Sequence, residues 1–418
     1  MFVAIRNTPR DYAWGSTNDI AAFLGTAPSG GPEAELWLGA HPGSPARIVD
    51  PAQTGGAADL AEWIAADPER ALGPGLGASG RLPFLLKLLA AGGPLSLQAH
   101  PTPEQARAGF AREEADGVAI DAYDRNYKDA FHKPELIVAV SETFDALSGF
   151  RPLAEVRAVL AALRQADAAD EQPDPGALDL LESHLAGEDG LERTVEWLLQ
   201  DGRGGDTGQA SWVVERVVRL APAASAAAPG LARSFETVGE LAEAYPGDPG
   251  IVISLLLNRV RLARGEALYL RAGNIHAYLR GLGIELMAAS DNVLRGGLTP
   301  KHIDVSELVD VLDFTPIEPP RLEPEATSPG VRTFRPDVPD FVLHRVEPGA
   351  SEARIVLDGP AIVLAEGGAV RLDGAADAID VPRGGAVYVT PDERELVVTG
   401  AGVAWVATTG AGIGASLE

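Results

Sequence analysis

Cysteine is absent from all 418 residues, which rules out disulfides, thiolate zinc sites, iron–sulfur clusters and a Cys nucleophile. Any metal must therefore sit on His, carboxylate or amide ligands. Long apolar runs are missing too: Leu82–Ala91 and Ile251–Leu257 are too short to span a bilayer. The opening Met1-Phe-Val-Ala-Ile-Arg-Asn also lacks the basic-then-apolar pattern of a secretory leader. The expectation is a cytoplasmic protein with no membrane partner. Positive charge is scarce, with 34 Lys+Arg against 60 Asp+Glu, and the net charge of −26 argues against nucleic acid as a partner. An anionic ligand would have to be met by a local cluster. Lysine is the scarcest cation, with only Lys87, Lys128, Lys133 and Lys301. Where composition favours Arg, a retained Lys suggests a need for a compact ammonium, although chance survival explains four equally well.

At about 150 residues per domain the length suggests two or three domains. Residues 1–148 are rich in Gly and Pro, with short apolar runs such as Pro83-Phe-Leu-Leu-Lys-Leu-Leu, and read as an antiparallel sheet with short helices. From Pro152 the period changes. Val156, Val159, Leu160 and Leu163 recur at helical spacing, as do Leu191, Val195, Leu198 and Leu199, and then Val213, Val217 and Leu220. Breaks fall near Gln172–Gly176 and Gly202–Thr207. Strand patterns return at Ala267–Leu270 and Ile284–Met287, a linker follows at Ile317–Glu325, and the remainder alternates short β runs with Gly turns. The predicted organisation is mainly β with an α-helical insertion. One β-sandwich spans 1–148 and 248–318, a helical insertion 149–247, and a second β domain 319–418.

Three constellations carry chemistry. In Pro94-Leu-Ser-Leu-Gln-Ala-His-Pro, strand geometry puts Ser96, Gln98 and His100 on one face, where an amide and an imidazole could share a divalent metal. A solvated strand face with a surface histidine would read the same. Asn126-Tyr-Lys-Asp-Ala-Phe-His-Lys-Pro-Glu places His132, Lys133 and Glu135 around a turn set by Pro134, with Glu135 entering an apolar strand as a third possible ligand. An ordinary charged loop is the alternative. Finally, Gly273-Asn-Ile-His-Ala-Tyr sets His276 and Tyr278 on one face, and Ser290-Asp-Asn-Val-Leu-Arg-Gly-Gly brings Asp291 and Arg295 into a Gly-released loop ahead of Lys301. A turn with a surface charge pair explains the glycines but not Arg295 beside Lys301. Together Gln98, His100, Glu135 and His276 make a donor set suited to Zn²⁺ with a position left open. Lys87, Lys133, Arg295 and Lys301 would add positive charge for a phosphate.

The ordered blocks Ala34-Glu-Leu-Trp-Leu-Gly-Ala-His-Pro, Leu82-Pro-Phe-Leu-Leu-Lys-Leu-Leu, Leu95-Ser-Leu-Gln-Ala-His-Pro, Asn126–Glu135 and His276–Lys301 resemble the type I mannose-6-phosphate isomerase family. The resemblance runs from Tyr12-Ala-Trp-Gly to about Phe314, with the helical insert weakly similar and the tail similar in texture. It implies a cupin-type (jelly-roll) catalytic sandwich plus a C-terminal cupin-like domain, and a monomeric, cytoplasmic aldose–ketose isomerase linked to GDP-mannose biosynthesis. It also implies one Zn²⁺ per chain on Gln98, His100, Glu135 and His276. Lys87, Ser96, Lys133, Tyr278, Glu285, Asp291, Arg295 and Lys301 fall on the family's pocket positions, with no substitution among them. Isomerisation through a cis-enediol(ate) needs a proton shuttle, for which Glu285, Lys133, His132 and a metal-bound hydroxide are candidates. Asp291 with His100 is a candidate pair for ring opening, and Arg295 for the phosphate or the enediolate charge. Another sugar phosphate on the same site is the alternative substrate, and a cupin that binds sugar without turnover is the non-enzymatic one. Trp14, Trp37 and Trp405 read as core or pocket walls; His41, His184, His302 and His344 read as structural or surface histidines.

Overall fold

The computed structural model describes residues 1–202, 207–349 and 351–410. The centre of the fold is the strand His276–Ala288, long enough to serve two sheets. Its second half pairs antiparallel with Phe84–Ala91 on one side and Glu135–Ala139 on the other. Its first half pairs with Thr143–Phe150, and His276 faces Gln98 of the short strand Gln98–Ala99. The strand changes partners at Gly281, whose φ of 128° is closed to most L side chains and where a Cβ would lie 2.8 Å from the Thr143 carbonyl oxygen. That glycine lets one strand turn the corner of the sandwich.

Alternation along these strands decides what each face meets. Phe84, Leu86, Leu88 and Ala90 point into an apolar layer with Leu136, Val138, Ile284 and Leu286, while Leu85, Lys87 and Leu89 point the other way and line a cleft. Every residue of Phe84–Ala91 is buried, so the single lysine in it is conspicuous. The apolar layer is shared with the C-terminal domain, which contributes Leu343, Ile362, Leu364, Tyr388 and Trp405. Beyond it the C-terminal sandwich packs an eight-stranded sheet on the four-stranded sheet built from Ala353–Val356, Glu395–Gly400, Val370–Asp373 and Ala378–Val381, around a Val-rich core of its own.

The helical block carries Leu153–Ala168, Pro175–Leu185, Gly190–Asp201, Gln209–Ala227 and Ala232–Ala244. The apolar faces expected at Val156, Leu163, Val195, Leu198, Val213 and Val217 all enter one core. Positions 203–206 of the second expected break lie outside the described residues.

The division expected from the sequence is corrected at two places. Residues 1–148 do not all join the first sandwich: Phe2–Arg6 pairs with Ala386–Val389 and with Arg47–Ile48, extending the C-terminal sheet. Nothing local could signal this, because a strand's partner is set by tertiary packing and not by its own pattern. The helical block also runs past 247, since Gly250–Ser254 is helical and Ile251, Val252 and Ile253 pack in its core before the sheet resumes at Leu257–Ala263. Among the described residues no helix is long and apolar enough to cross a membrane.

Candidate metal centre and active site

Three strand ends converge at the floor of the cleft. His100 follows Gln98–Ala99, Glu135 opens Glu135–Ala139 after Pro134, and His276 opens the long central strand. The three side chains are 1–2% exposed, and one donor atom from each lies within 4.8 Å of the others. The His100 Nδ1 approaches the Asn292 carbonyl oxygen at 2.8 Å and the His276 Nδ1 that of Asn274 at 2.9 Å. A carbonyl can only accept, which assigns both ring protons to Nδ1 and leaves each Nε2 with a bare lone pair. Those lone pairs face Glu135, each 3.2 Å from a carboxylate oxygen. These approaches are not hydrogen bonds: both Nε2 atoms and the Glu135 Oε2 are buried without a hydrogen-bonding partner. Two imidazole lone pairs and a carboxylate aimed at one point repel one another unless a cation lies between them. The residues therefore fit a divalent metal with borderline nitrogen and oxygen donors. Burial lowers His100 to about 4, with Lys133 and His276 adding to the effect, so the ring is neutral as a ligand must be. Burial would raise the Glu135 carboxyl, but the Lys133 ammonium beside it pulls it the other way, and the carboxyl lies below the usual carboxylate range. Gln98 is the register partner of both His276 and Arg295 and lines the same cleft.

Above this floor runs a ladder of buried charge. Lys87 is the cross-strand partner of Glu285 and of Trp37. Its Nζ lies 3.0 Å from Glu285 Oε2, 3.6 Å from Glu35 Oε1 and 5.2 Å from the Trp37 ring centre, while Trp37 Nε1 donates to Glu35 Oε2 at 2.9 Å. Burial opposes the Lys87 charge, but Glu285 and Glu35 hold its pKa above the ordinary lysine range. Glu285 is pushed up by burial and by Glu135 and Glu35, against the pull of Lys87. Lys133 Nζ sits 3.2 Å from Glu135 Oε1. Three buried carboxylates against two ammonium groups leave the cluster net negative; a divalent cation would turn it net positive, the sign that suits an anionic ligand. Tyr278 is 1% exposed and lines the cleft, and its buried hydroxyl lacks a hydrogen-bond partner.

The cleft has a volume of about 490 Å³, within the range of small-molecule sites. Ser96, Gln98, Lys87, Lys133, Glu135, Tyr278, Glu285, Asp291, Arg295 and Lys301 all line it. Ser96 and Gln98 reach it because Leu97 and Ala99, alternating with them, are taken into the helical core. Arg295 and Lys301 also line a narrower recess that opens beside them, with Tyr123 and His302. Burial lowers both cations, and Arg295 lowers Lys301 further.

A family model, phosphomannose isomerase type I, catalytic domain, matches residues 2–153. The mannose-6-phosphate isomerase of Escherichia coli (strain K12) is 34% identical across 95% of this chain and 96% of its own, and that of Homo sapiens is 32% identical across 92% of each. The chain belongs to the mannose-6-phosphate isomerase family. Among solved structures, a zinc-bound holo mannose 6-phosphate isomerase superposes with a TM-score of 0.82 at 32% identity, covering 98% of this chain and 99% of the other. A single-residue variant of the Salmonella typhimurium phosphomannose isomerase gives a TM-score of 0.84 at 32% identity and the same coverage. The mainly β, cupin-type architecture with a helical insertion is that of the family.

Set against the family's pocket, the expected residues separate into two groups. His132 is the one catalytic candidate that the structure takes away from the cleft. Its Nε2 lies 2.9 Å from Asp340 Oδ2 of the C-terminal domain, because alternate residues of the extended Pro134 turn point opposite ways and Lys133 takes the inward direction. His100 does not partner Asp291, since its two nitrogens are committed to Asn292 and to the metal site. The partner is His41, whose Nε2 lies 3.2 Å from Asp291 Oδ2 and whose Nδ1 accepts the Gly43 N–H at 3.1 Å. His41, read from sequence as structural or surface, is therefore a cleft residue. Lys128 ties its own loop, donating to the Ile120 carbonyl at 2.8 Å, and does not line the cleft. Sequence reasoning also missed Glu35, and it took Asn292 only as an amide of the Gly-released loop, without a role. A carboxylate inside the apolar strand Glu35–Leu38 was a signal that could have been read. Nothing in the sequence marked Asn292 apart from its neighbours.

Proposed function

We propose that this chain is a zinc-dependent aldose–ketose isomerase that interconverts D-mannose 6-phosphate and D-fructose 6-phosphate through a cis-enediol(ate), with Gln98, His100, Glu135 and His276 as the zinc ligands. The observation that carries this reading is the convergence of three buried, unpartnered donor atoms on one point beneath a cation-rimmed cleft. When bound, the metal supplies Lewis-acid polarisation of the substrate carbonyl.

The chain's own groups account for the remaining steps. Arg295 and Lys301 at the mouth offer a guanidinium that cannot lose its proton and an ammonium, the pair expected for the phosphate. At the inner end Glu285, with its pKa raised toward the working pH, is placed to take the proton from C2 and return it to C1. Lys87 beside it orients the carboxylate and keeps its charge available. Lys133, next to Glu135, is the second candidate for the shuttle, and also balances negative charge developing on O1 and O2. The Asp291–His41 pair is the candidate for moving the ring-opening proton between O1 and O5. Tyr278 offers a hydroxyl donor in a dry wall. A monomeric, cytoplasmic enzyme linked to GDP-mannose synthesis belongs to the same reading.

The test is a coupled assay for fructose 6-phosphate formed from mannose 6-phosphate, on protein as purified, after chelation and after zinc is restored. Activity should vanish with the metal and return with zinc. A folded, zinc-loaded sample without turnover would refute the substrate assignment and direct the search to other sugar phosphates.

A further inference from the structure

Asn292 is fully buried, carries no charge and does not line the cleft, yet every hydrogen-bonding atom it owns is in use. Its carbonyl oxygen accepts from His100 Nδ1 at 2.8 Å. Its side-chain Oδ1 accepts the Lys128 N–H at 2.7 Å and the Asp129 N–H at 3.3 Å. Its Nδ2 donates to the carbonyls of Asp129 and Phe131, both at 2.8 Å. The segment from Lys128 to Phe131 is thus wrapped around one amide, and four residues later it delivers Glu135. Ser290 and Asp291 reinforce the wrap: the Ser290 hydroxyl donates to Asp129 Oδ1 at 2.8 Å and accepts the Asn292 N–H at 3.2 Å, and the Asp291 N–H donates to Asp129 Oδ2 at 3.0 Å. Two and three residues past Asn292, Leu294 and Arg295 pair with Ala99 and Gln98.

We infer that Asn292 is a positioning residue that joins His100 to the Lys128–Glu135 segment, setting the spacing between two metal ligands that come from different strands. The inference rests on the metal-centre reading given above. One peptide orients the His100 ring and fixes its tautomer, while the side chain of the same residue anchors the segment that presents Glu135 and Lys133. Only a carboxamide can do the second part, because the site asks for two acceptor contacts on one side and two donor contacts on the other. A carboxylate would turn acceptor oxygens toward the Asp129 and Phe131 carbonyls, and a hydroxyl cannot span both sides. His276 is held separately, through Asn274, whose own side-chain Oδ1 accepts from the Ser148 hydroxyl at 3.2 Å.

The experiment is zinc affinity of the full-length, metal-stripped protein, measured by competition with a chromophoric chelator and paired with the Tm of the zinc-free form. Asn292→Ala and Asn292→Asp should each weaken zinc binding by about tenfold or more, as loss of a group that orients a ligand does. The Tm of the zinc-free protein should fall through loss of the amide's own hydrogen bonds, and that of the zinc-loaded form should fall further, by the lost binding energy. Zinc affinity within twofold of wild type would overturn the inference, whatever happens to Tm. If Asn292 variants do not fold, Ser290→Ala removes the hydroxyl tie while keeping the amide, and should weaken zinc in the same direction by roughly threefold; an unchanged affinity there would equally overturn it. His100→Ala run alongside separates the two readings, because zinc bound as tightly by that variant as by wild type would refute the metal centre itself.

Discussion

A buried carboxylate with a raised pKa and one ammonium neighbour is the chemical identity of Glu285, and it sets the sharpest test at the scale of single residues. Glu285→Gln keeps shape and hydrogen-bonding reach but cannot accept a proton. If Glu285 is the shuttle, kcat should fall by about 10² to 10⁴ while zinc content, read by metal analysis, stays near one per chain. Near wild-type turnover would pass the role to Lys133. The sequence made most of this cleft legible because its demands are local: Ser96, Gln98 and His100 follow strand alternation, and Lys133 and Glu135 flank a proline that dictates direction. It misled where a side chain's partner comes from elsewhere in the chain. His132 and His41 are each one imidazole in a polar loop, and only the tertiary structure gives Asp340 to the first and Asp291 to the second. The role of Asn292 was invisible for the same reason, since its side-chain contacts lie more than 160 residues upstream.

At the scale of elements, the centre depends on a single strand holding two sheets in register. His276 at one end pairs with Gln98, and Glu285 and Met287 near the other pair with Lys87 and Glu135 through two different neighbours. Gly281 is the joint. In Gly281→Ala the new Cβ would press the Thr143 carbonyl oxygen and the Phe144 Cα at 2.8 and 2.9 Å, both backbone atoms, at a φ that alanine resists. The expected cost is on the order of 2–4 kcal/mol of stability from strain and overpacking together. Calorimetry would read it as a lowered Tm, and a loss under about 0.5 kcal/mol would mean that the corner can relax without the glycine. The periodicity that marked the helices and the strand runs was sufficient to place these elements. It could not say that Phe2–Arg6 crosses to the far sheet, since strands paired over almost four hundred residues share no local signal.

Across the whole molecule the decisive feature is the apolar layer shared by both sandwiches. Leu86, Leu88, Ile284 and Leu286 of the catalytic sheet pack in the same cluster as Leu364, Tyr388 and Trp405 of the C-terminal one, and the N-terminal strand is woven into the latter. Neither sandwich can expose its half of that layer cheaply, so the two should unfold together. Acid acts on the C-terminal sandwich through one buried histidine. His344, on the strand Val342–Val346, is buried with its Nδ1 2.9 Å from Thr333 Oγ1, and burial, with Arg335 adding, lowers its pKa from 6.5 to about 4. The unfolded chain therefore binds this proton more readily than the folded one. The neutral ring's contribution is complete above about pH 6.5 and is lost progressively as the pH falls toward 4. At pH 5 the loss amounts to about 2 kcal/mol. His344→Asn removes the titration while leaving an amide to meet Thr333, so its stability should change less between pH 7.5 and pH 5 than that of wild type, by that amount. Denaturant unfolding of both proteins at the two pH values measures the difference, and parallel pH dependence would exclude His344 as the group responsible. If the shared layer couples the sandwiches, the acid shift must also appear in the amide hydrogen exchange of Glu135–Ala139, a strand of the catalytic sheet.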